Sequence, residues 1–300
     1  MPNFYQNVHN SLVQHQSKVL ITMMAANESK LEFTGADLLG QVSKLRECFE
    51  TRGVNVTNRV LLLLKPEDGL IPSILACMAS GCNPVIPPKG MSKVALVSFI
   101  KNEKINYCLL PQNTNAWVKI TLGLFMKVLT VSDPSSTFKN IDAPFVSDPT
   151  VPALTSYSSG STGKPKKLER SHSVLNAQHH ALKEVFPPWE GQKDFPLFPN
   201  VVLHNLSVGV PTVFPAIKQF DLSLLDLRVI ADQILNENME SMSGNSFYYS
   251  ALVKHAKTKH LVFSNIQGLV IGGSPISDVL LEEMSKVYRE KGEKLYLPEG

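Results

Sequence analysis

Short apolar runs alternate with longer amphipathic segments along most of this 300-residue chain. In the first half, strand-length runs fall at residues 59–64, 83–86, 107–110, 128–131 and 151–154. Residues 68–80 and 93–102, between the first three runs, have the helical spacing of apolar side chains. Buried strands that alternate with helices are typical of a parallel sheet with helices on both faces. The pattern therefore constrains the chain to the α/β class.

A second series of the same kind follows residue 171. Its helical segments are residues 173–185, 224–236, 247–257 and 277–291, and its strand-like runs are residues 212–215, 241–244, 268–271 and 294–297. We therefore predict two doubly wound, mostly parallel sheet lobes. Lobe A covers about residues 57–165, and lobe B covers about residues 1–56 together with 171–300.

Composition excludes several other classes of protein. A net charge of +3 with 18% charged residues gives no reason to expect a nucleic-acid partner. The longest apolar runs are too short for a transmembrane segment, and the polar N-terminus has no signal-peptide core. The four cysteines lack C-x-x-C spacing, which predicts reduced core thiols in a cytoplasmic protein rather than disulfides or a zinc site.

The most distinctive motif is YSSGSTGKPK at residues 157–166. Its glycines let the backbone approach an anion, its hydroxyls are rotatable donors, and its lysines add positive charge. Its position between a predicted strand at 151–154 and a predicted helix at 173–185 is typical of phosphate-binding loops. A flexible Ser/Gly linker is the alternative interpretation.

Two common nucleotide loops do not match this motif. Gly160 and Gly163 are only three residues apart and Lys164 is followed by Pro165, so the run is not a Walker A loop. The dinucleotide pattern G-x-G-x-x-G is absent from the chain as well. The run instead resembles the signature loop of the adenylate-forming superfamily, [YF]-[ST]-S-G-[ST]-T-G-x-P-K-G, and departs from it only at Lys167. This superfamily comprises AMP-binding acyl-CoA synthetases, non-ribosomal adenylation domains and luciferases.

Similarity to this superfamily extends over essentially the whole chain. Residues 58–64 resemble its "D-R-V" strand, residues 80–87 resemble a later turn into a strand, and residues 272–275 resemble its "G-G-[AS]-P" segment. Residues 195–198 and 206–209 are most similar to long-chain fatty-acyl ligases and to their β-lactone-forming relatives in olefin biosynthesis. By analogy with these relatives, we expect the helix at residues 38–49 to pack with the second lobe.

The resemblance implies that the protein activates a carboxylic acid with ATP and Mg²⁺ to form an acyl-adenylate. Formation of a thioester with CoA would follow, with a medium or long aliphatic acid as substrate. A catalytically inactive nucleotide- or acyl-binding protein derived from such an enzyme is the alternative.

The same resemblance assigns candidate site residues. Those expected to bind the phosphates are Ser158, Ser159, Gly160, Ser161, Thr162, Gly163 and Lys166. Those expected to hold the adenine are Gly272, Gly273, Ser274 and Pro275, although the same four residues could form only a strand-to-helix turn. His172 and His204 are possible substrate-side residues, and a structural role for each is the alternative.

No catalytic or metal-binding residue is predicted within this chain. The carboxylate for Mg²⁺, the ribose-binding Asp and the catalytic Lys of a C-terminal lid domain are all expected after Gly300. The resemblance therefore implies the N-terminal portion of a longer protein, and these 300 residues alone are expected not to catalyse adenylation.

Overall fold

A computed structural model describes most of the chain, in two compact units. The described residues are 3–24, 29–88, 90–131, 145, 148–158, 165–197, 199–217, 225–272 and 275–288. One unit comprises Met1–Gln16 and Gly35–His179, and the other comprises Ser17–Thr34 and His180–Gly300. The chain passes from one unit to the other at three points, and the last of these falls inside a helix, after residue 179.

Ten α-helices, one short 3-10 helix (Pro66–Asp68) and twelve strands are found in the described residues. The helices are α1 (Tyr5–Gln14), α2 (Gly35–Arg52), α3 (Leu70–Ser80), α4 (Lys93–Asn102), α5 (Ala116–Gly123), α6 (His172–Val185), α7 (Pro199–Val208), α8 (Leu227–Asn236), α9 (Ser246–Lys259) and α10 (Asp278–Val287). The strands are β1 (Val19–Met24), β2 (Lys30–Thr34), β3 (Arg59–Leu62), β4 (Asn83–Val85), β5 (Tyr107–Leu110), β6 (Lys127–Thr130), β7 (Pro152–Ser158), β8 (Lys166–Ser171), β9 (Asp194–Pro196), β10 (Thr212–Val213), β11 (Ser241–Gly244) and β12 (Gly268–Ile271).

The sheet of the first unit has the strand order β6-β5-β3-β4-β7-β8. Its strands are parallel except for β8, which pairs antiparallel with β7 at the edge. Apolar side chains of α4 and α5, among them Ile100 and Leu122, join one buried cluster with Leu61, Val85 and Cys108 of the strands. Both helices therefore cover the same face of this sheet.

The sheet of the second unit has the strand order β12-β11-β9-β10-β1-β2. It is also parallel except at one edge, where β2 pairs antiparallel with β1. Its core includes the fully buried Phe195, Tyr248 and Tyr249. The two mostly parallel α/β sheets confirm the predicted fold class.

The predicted position of the first long helix is wrong. Helix α2 packs on α3 and α1 in the first unit, rather than with the second lobe. A Cβ on Gly35, its first residue, would lie 2.5 Å from the carbonyl oxygen of His15, so the backbones meet closely there. The observed boundaries also differ from the predicted ones. Residues 1–56 are predicted to lie in the second lobe, but only Ser17–Thr34 of them belongs to the second unit.

The cysteines are free thiols, as predicted. Cys77, Cys82 and Cys108 are buried, and Cys48 is half-buried. In the described part of the chain, no helix is both long enough and apolar enough to cross a bilayer. The predicted strand at residues 294–297 lies outside the described residues.

Candidate functional site

The predicted phosphate loop joins β7 to β8. Strand β7 lies beside β4 and runs parallel to it, so the loop leaves the sheet at the carboxyl edge of its parallel strands. Ligands of α/β proteins usually bind at this edge. The structure corrects the expected strand–loop–helix arrangement, because the antiparallel strand β8 comes between the loop and helix α6. Ser158, the last residue of β7, pairs with Lys166, the first residue of β8, and residues 159–164 lie outside the described residues.

A cluster of four charged side chains lies at the base of this hairpin. Lys167, which replaces the glycine of the family signature, pairs across the strands with Tyr157. Its Nζ is 2.9 Å from Oε2 of Glu103 and 2.9 Å from Oε1 of Glu169. Nη2 of Arg59 is 2.8 Å from the same Glu103 oxygen and 3.3 Å from the same Glu169 oxygen. We call these four residues the stem cluster.

Glu103 and Lys167 keep their charges despite partial burial. Burial alone would raise the pKa of Glu103, but hydrogen bonds from Lys167 and Tyr157 and the charge of Arg59 hold that pKa below its usual value. Burial would lower the pKa of Lys167, but its hydrogen bonds to the two carboxylates raise that pKa overall. Burial, and then the hydrogen bond to Glu103, raise the pKa of Tyr157. The hairpin base is therefore charge-balanced.

Two neighbouring lysines of β8 have different environments. Lys167 is held by two carboxylates, whereas the exposed Lys166 forms no ion pair with a carboxylate in the described part of the chain. Successive side chains of a strand point to opposite faces, so Lys166 lies on the face of β8 opposite to Lys167 and the stem cluster. A role for Lys166 toward phosphate stays a prediction.

His172 makes a structural contact. It is the first residue of α6, and its Nδ1 accepts the backbone N–H of Phe4 at 3.1 Å. Burial lowers the pKa of His172 to about 4, so the ring is neutral at pH 7. The contact ties the start of α1 to the start of α6. A role for His172 toward substrate stays a prediction.

His204 lies in α7 and is buried, and its role toward substrate also stays a prediction. The next residue belongs to a polar network that the sequence did not indicate. Asn205 donates to the buried carboxylate of Asp194 at 2.7 Å, and the hydroxyl of Ser241 also donates to that carboxylate. Burial raises the pKa of Asp194. Ser241 and Thr212 lie beside Asp194 on the neighbouring strands, which makes this network a cross-strand support at the amino ends of β9–β11.

The predicted adenine segment starts where β12 ends. The Gly272 N–H donates to the carbonyl of Gly244 on β11, and Gly273 and Ser274 lie outside the described residues. Pro275 is exposed just before α10, whose N-cap Ser277 accepts the N–H of Leu280. The segment thus occupies the carboxyl end of a parallel strand of the second unit, and its role toward adenine stays a prediction.

Metal binding finds no support in the described residues. Among them, no three His, Cys, Asp or Glu side chains are grouped so that they could hold an ion.

Comparison with known proteins identifies the family. The family model for AMP-binding enzymes matches residues 11–296, nearly the whole chain. The chain belongs to the AMP-binding enzyme family. A hybrid PKS-NRPS synthetase, apdA of Emericella nidulans, is 30% identical over 145 residues, which are 48% of this chain and 4% of that protein.

Solved structures share the fold of this AMP-binding family member. The L. pneumophila fatty acyl-adenylate ligase, in complex with acyl adenylate and pyrophosphate, is 19% identical with a TM-score of 0.75; the match covers 95% of this chain and 52% of that one. The Bacillus subtilis o-succinylbenzoate CoA synthetase, in complex with AMP, is 14% identical with a TM-score of 0.74; that match covers 96% and 57%. The chain thus spans little more than half the length of these structures.

Proposed function

We propose that the protein uses ATP to activate a carboxylic acid as an acyl-adenylate and then transfers the acyl group to the thiol of CoA. In the first step a carboxylate oxygen bonds to the α-phosphorus of ATP. The bond between this phosphorus and the oxygen that bridges the α- and β-phosphates breaks, and pyrophosphate leaves. In the second step the thiolate attacks the acyl carbon and AMP leaves. Membership in the AMP-binding family supports ATP as the nucleotide substrate.

The main structural support for this proposal is the difference between the two adjacent lysines of β8, Lys166 and Lys167. Glu103 and Glu169 neutralise Lys167, so the stem cluster adds no net positive charge at the hairpin base. Lys166, on the other face and beside the loop, forms no ion pair in the described part of the chain and would contact the β- and γ-phosphates. Together with the hydroxyls and glycines of residues 158–163, it would bind the triphosphate and stabilise the charge that develops on the departing pyrophosphate.

An aliphatic acid is our choice of substrate. Residues 195–198 and 206–209 resemble long-chain fatty-acyl ligases, and the L. pneumophila neighbour was solved with acyl adenylate. We place the reaction, and the fatty-acid metabolism to which it would belong, in the cytoplasm, because unpaired cysteines are typical of a reducing compartment.

Acid-dependent exchange of labelled pyrophosphate into ATP tests the proposal. The assay uses the protein that carries this chain at its full natural length, with straight-chain acids from short to long. Lys166→Met should lower kcat/KM for ATP about 10- to 100-fold, because a charge-assisted hydrogen bond to phosphate is lost. The matched control is Lys254→Met, an exposed helical lysine in the second unit, which should leave exchange unchanged.

Three outcomes separate the alternatives. Acid-dependent exchange that falls only in the Lys166 variant supports the proposed enzyme. ATP binding that depends on Lys166 but gives no exchange with any acid supports a non-catalytic nucleotide-binding protein. Exchange that is equal in the two variants contradicts the role of Lys166.

A further inference from the structure

Helix α5 and the residues just after it carry apolar side chains on two opposite sides. On one side, Leu122 and Met126 are buried in the core of the first unit. On the other, Trp117, Ile120 and Leu124 are exposed by 76%, 59% and 77%. Leu124 follows the last helical residue in right-handed helical conformation, so the three side chains align at a spacing of three and four residues.

A helix that is apolar on both sides normally has both sides covered. Here the outer side is open to solvent, and the partly exposed Val118 and Phe125 extend it. Clusters of exposed large apolar side chains mark interaction sites in soluble proteins. We call Trp117, Ile120 and Leu124 the outer stripe of α5.

The segment of the chain that carries the outer stripe has a one-sided charge. Residues 91–131, which include α4, α5 and the strand between them, contain five lysines and a single carboxylate. That carboxylate is Glu103, which is occupied by Arg59 and Lys167 in the stem cluster. Four of the five lysines are exposed: Lys93, Lys101, Lys104 and Lys127.

We propose that the outer stripe of α5 docks on an anionic lipid surface. Trp117, Ile120 and Leu124 enter the boundary between headgroups and acyl chains, and exposed lysines of the same segment contact lipid phosphates. Tryptophan favours this boundary because its ring is apolar while its N–H is polar. An apolar stripe in a lysine-rich segment is the pattern of helices that lie in the membrane interface. The excess of lysines in residues 91–131 favours an anionic lipid surface over an uncharged protein partner.

Sedimentation of the full chain with vesicles tests this inference. Phosphatidylcholine vesicles containing phosphatidylglycerol should bind the protein, and phosphatidylcholine alone should bind it more weakly. Ile120→Ser with Leu124→Ser should lower the affinity at least about tenfold, because two apolar side chains no longer enter the lipid. Lys101→Gln with Lys104→Gln should lower the affinity for anionic vesicles about fivefold per lysine. The affinity for vesicles of phosphatidylcholine alone should not change. The control is Phe247→Ser with Val279→Ser, two exposed apolar residues in the second unit.

Tryptophan fluorescence gives a second, site-specific readout. The chain has two tryptophans, so Trp117→Phe leaves Trp189 as the only indole. Brominated lipid should quench the wild-type emission and leave the emission of the Trp117→Phe variant unchanged. These substitutions alter exposed side chains, so unchanged urea midpoints will show that the variants are folded.

Other results would overturn the inference. These are absence of binding to anionic vesicles, and equal binding by the outer-stripe variant and the control. A concentration-dependent dimer that the Leu124 substitution abolishes, without lipid binding, would assign the stripe to an interface between two copies of the chain.

Discussion

Removing Lys167 should cost less stability than its two ion pairs suggest. Its Nζ is 2.9 Å from each carboxylate, but the side chain is 35% exposed and solvent screens the pairs. After Lys167→Met, Arg59 still lies 2.8 Å from Glu103 and 3.3 Å from Glu169. We therefore expect a loss of about 1 kcal/mol in the free energy of unfolding.

Removing Glu103 should cost more. Its side chain is only 15% exposed, and both cations of the stem cluster are paired to the same oxygen atom. Glu103→Gln leaves Arg59 and Lys167 beside each other with Glu169 as their remaining carboxylate. We expect a loss of about 2 kcal/mol. In the double variant the repulsion disappears with Lys167, so the combined loss should be about 1 kcal/mol smaller than the sum of the single losses.

The coupling between Glu103 and Lys167 should depend on pH. The pKa of Glu103 is lower in the folded protein than in the unfolded chain. The resulting stabilisation is complete above the unfolded pKa of about 4.3 and is lost as the pH falls through the folded pKa. The coupling should therefore be constant from neutral pH to about pH 5 and shrink below that.

Urea denaturation of wild type, both single variants and the double variant measures the coupling. The control cycle is Lys286 with Glu282, an exposed pair one helical turn apart in α10, for which we expect no measurable coupling because solvent screens both charges. The reasoning is refuted if the stem-cluster coupling is no larger than that of the control pair, or if it is unchanged at low pH.

Two further predictions concern packing and titration. Gly35→Ala should lower the free energy of unfolding by about 2 kcal/mol or more, because its Cβ would lie 2.5 Å from the His15 carbonyl oxygen. Gly123→Ala has open space around its Cβ and should stabilise α5 by about 0.5 kcal/mol. Equal urea midpoints for the two variants would contradict this. The pKa of His172 is about 4 in the folded protein and 6.5 in its ordinary state. Below pH 6.5 the unfolded chain therefore takes up a proton that the folded protein does not. The free energy of unfolding should fall by about 2 kcal/mol between pH 7 and pH 5. His172→Asn, which keeps an acceptor for the Phe4 N–H, should reduce the loss measured by urea denaturation at the two pH values, and an unchanged loss would contradict the assigned pKa.

Sequence periodicity located the buried strands well. The structure reproduces the predicted residues 107–110, 241–244 and 268–271 as β5, β11 and β12, and residues 93–102 as α4. These segments combine apolar runs with clear turn residues at their ends, which is where local pattern carries most information.

Other elements depend on distant partners. Strand β8 has a charged sequence without a core-facing pattern, and its ladder with β7 and the stem cluster hold it in place. The stripe of α2 predicts a half-buried helix, but it does not specify the layer on which the helix packs. The stem cluster itself joins residues that are far apart in the chain, and only Lys167, as a departure from the family signature, marked its position in the sequence.

The insertion of Ser17–Thr34 into the second unit has a consequence during synthesis. Strand β1 buries Leu20, Ile21 and Met23, and it pairs with β10 in the finished sheet. The nearby contact between Lys18 and Gly209 joins residues 191 positions apart. At about 5–20 residues per second, a ribosome needs roughly 10–40 s to supply that partner. During this interval β1 can pair with β2, but its other edge lacks β10, and an open strand edge with apolar side chains is a feature that favours chaperone binding on the ribosome.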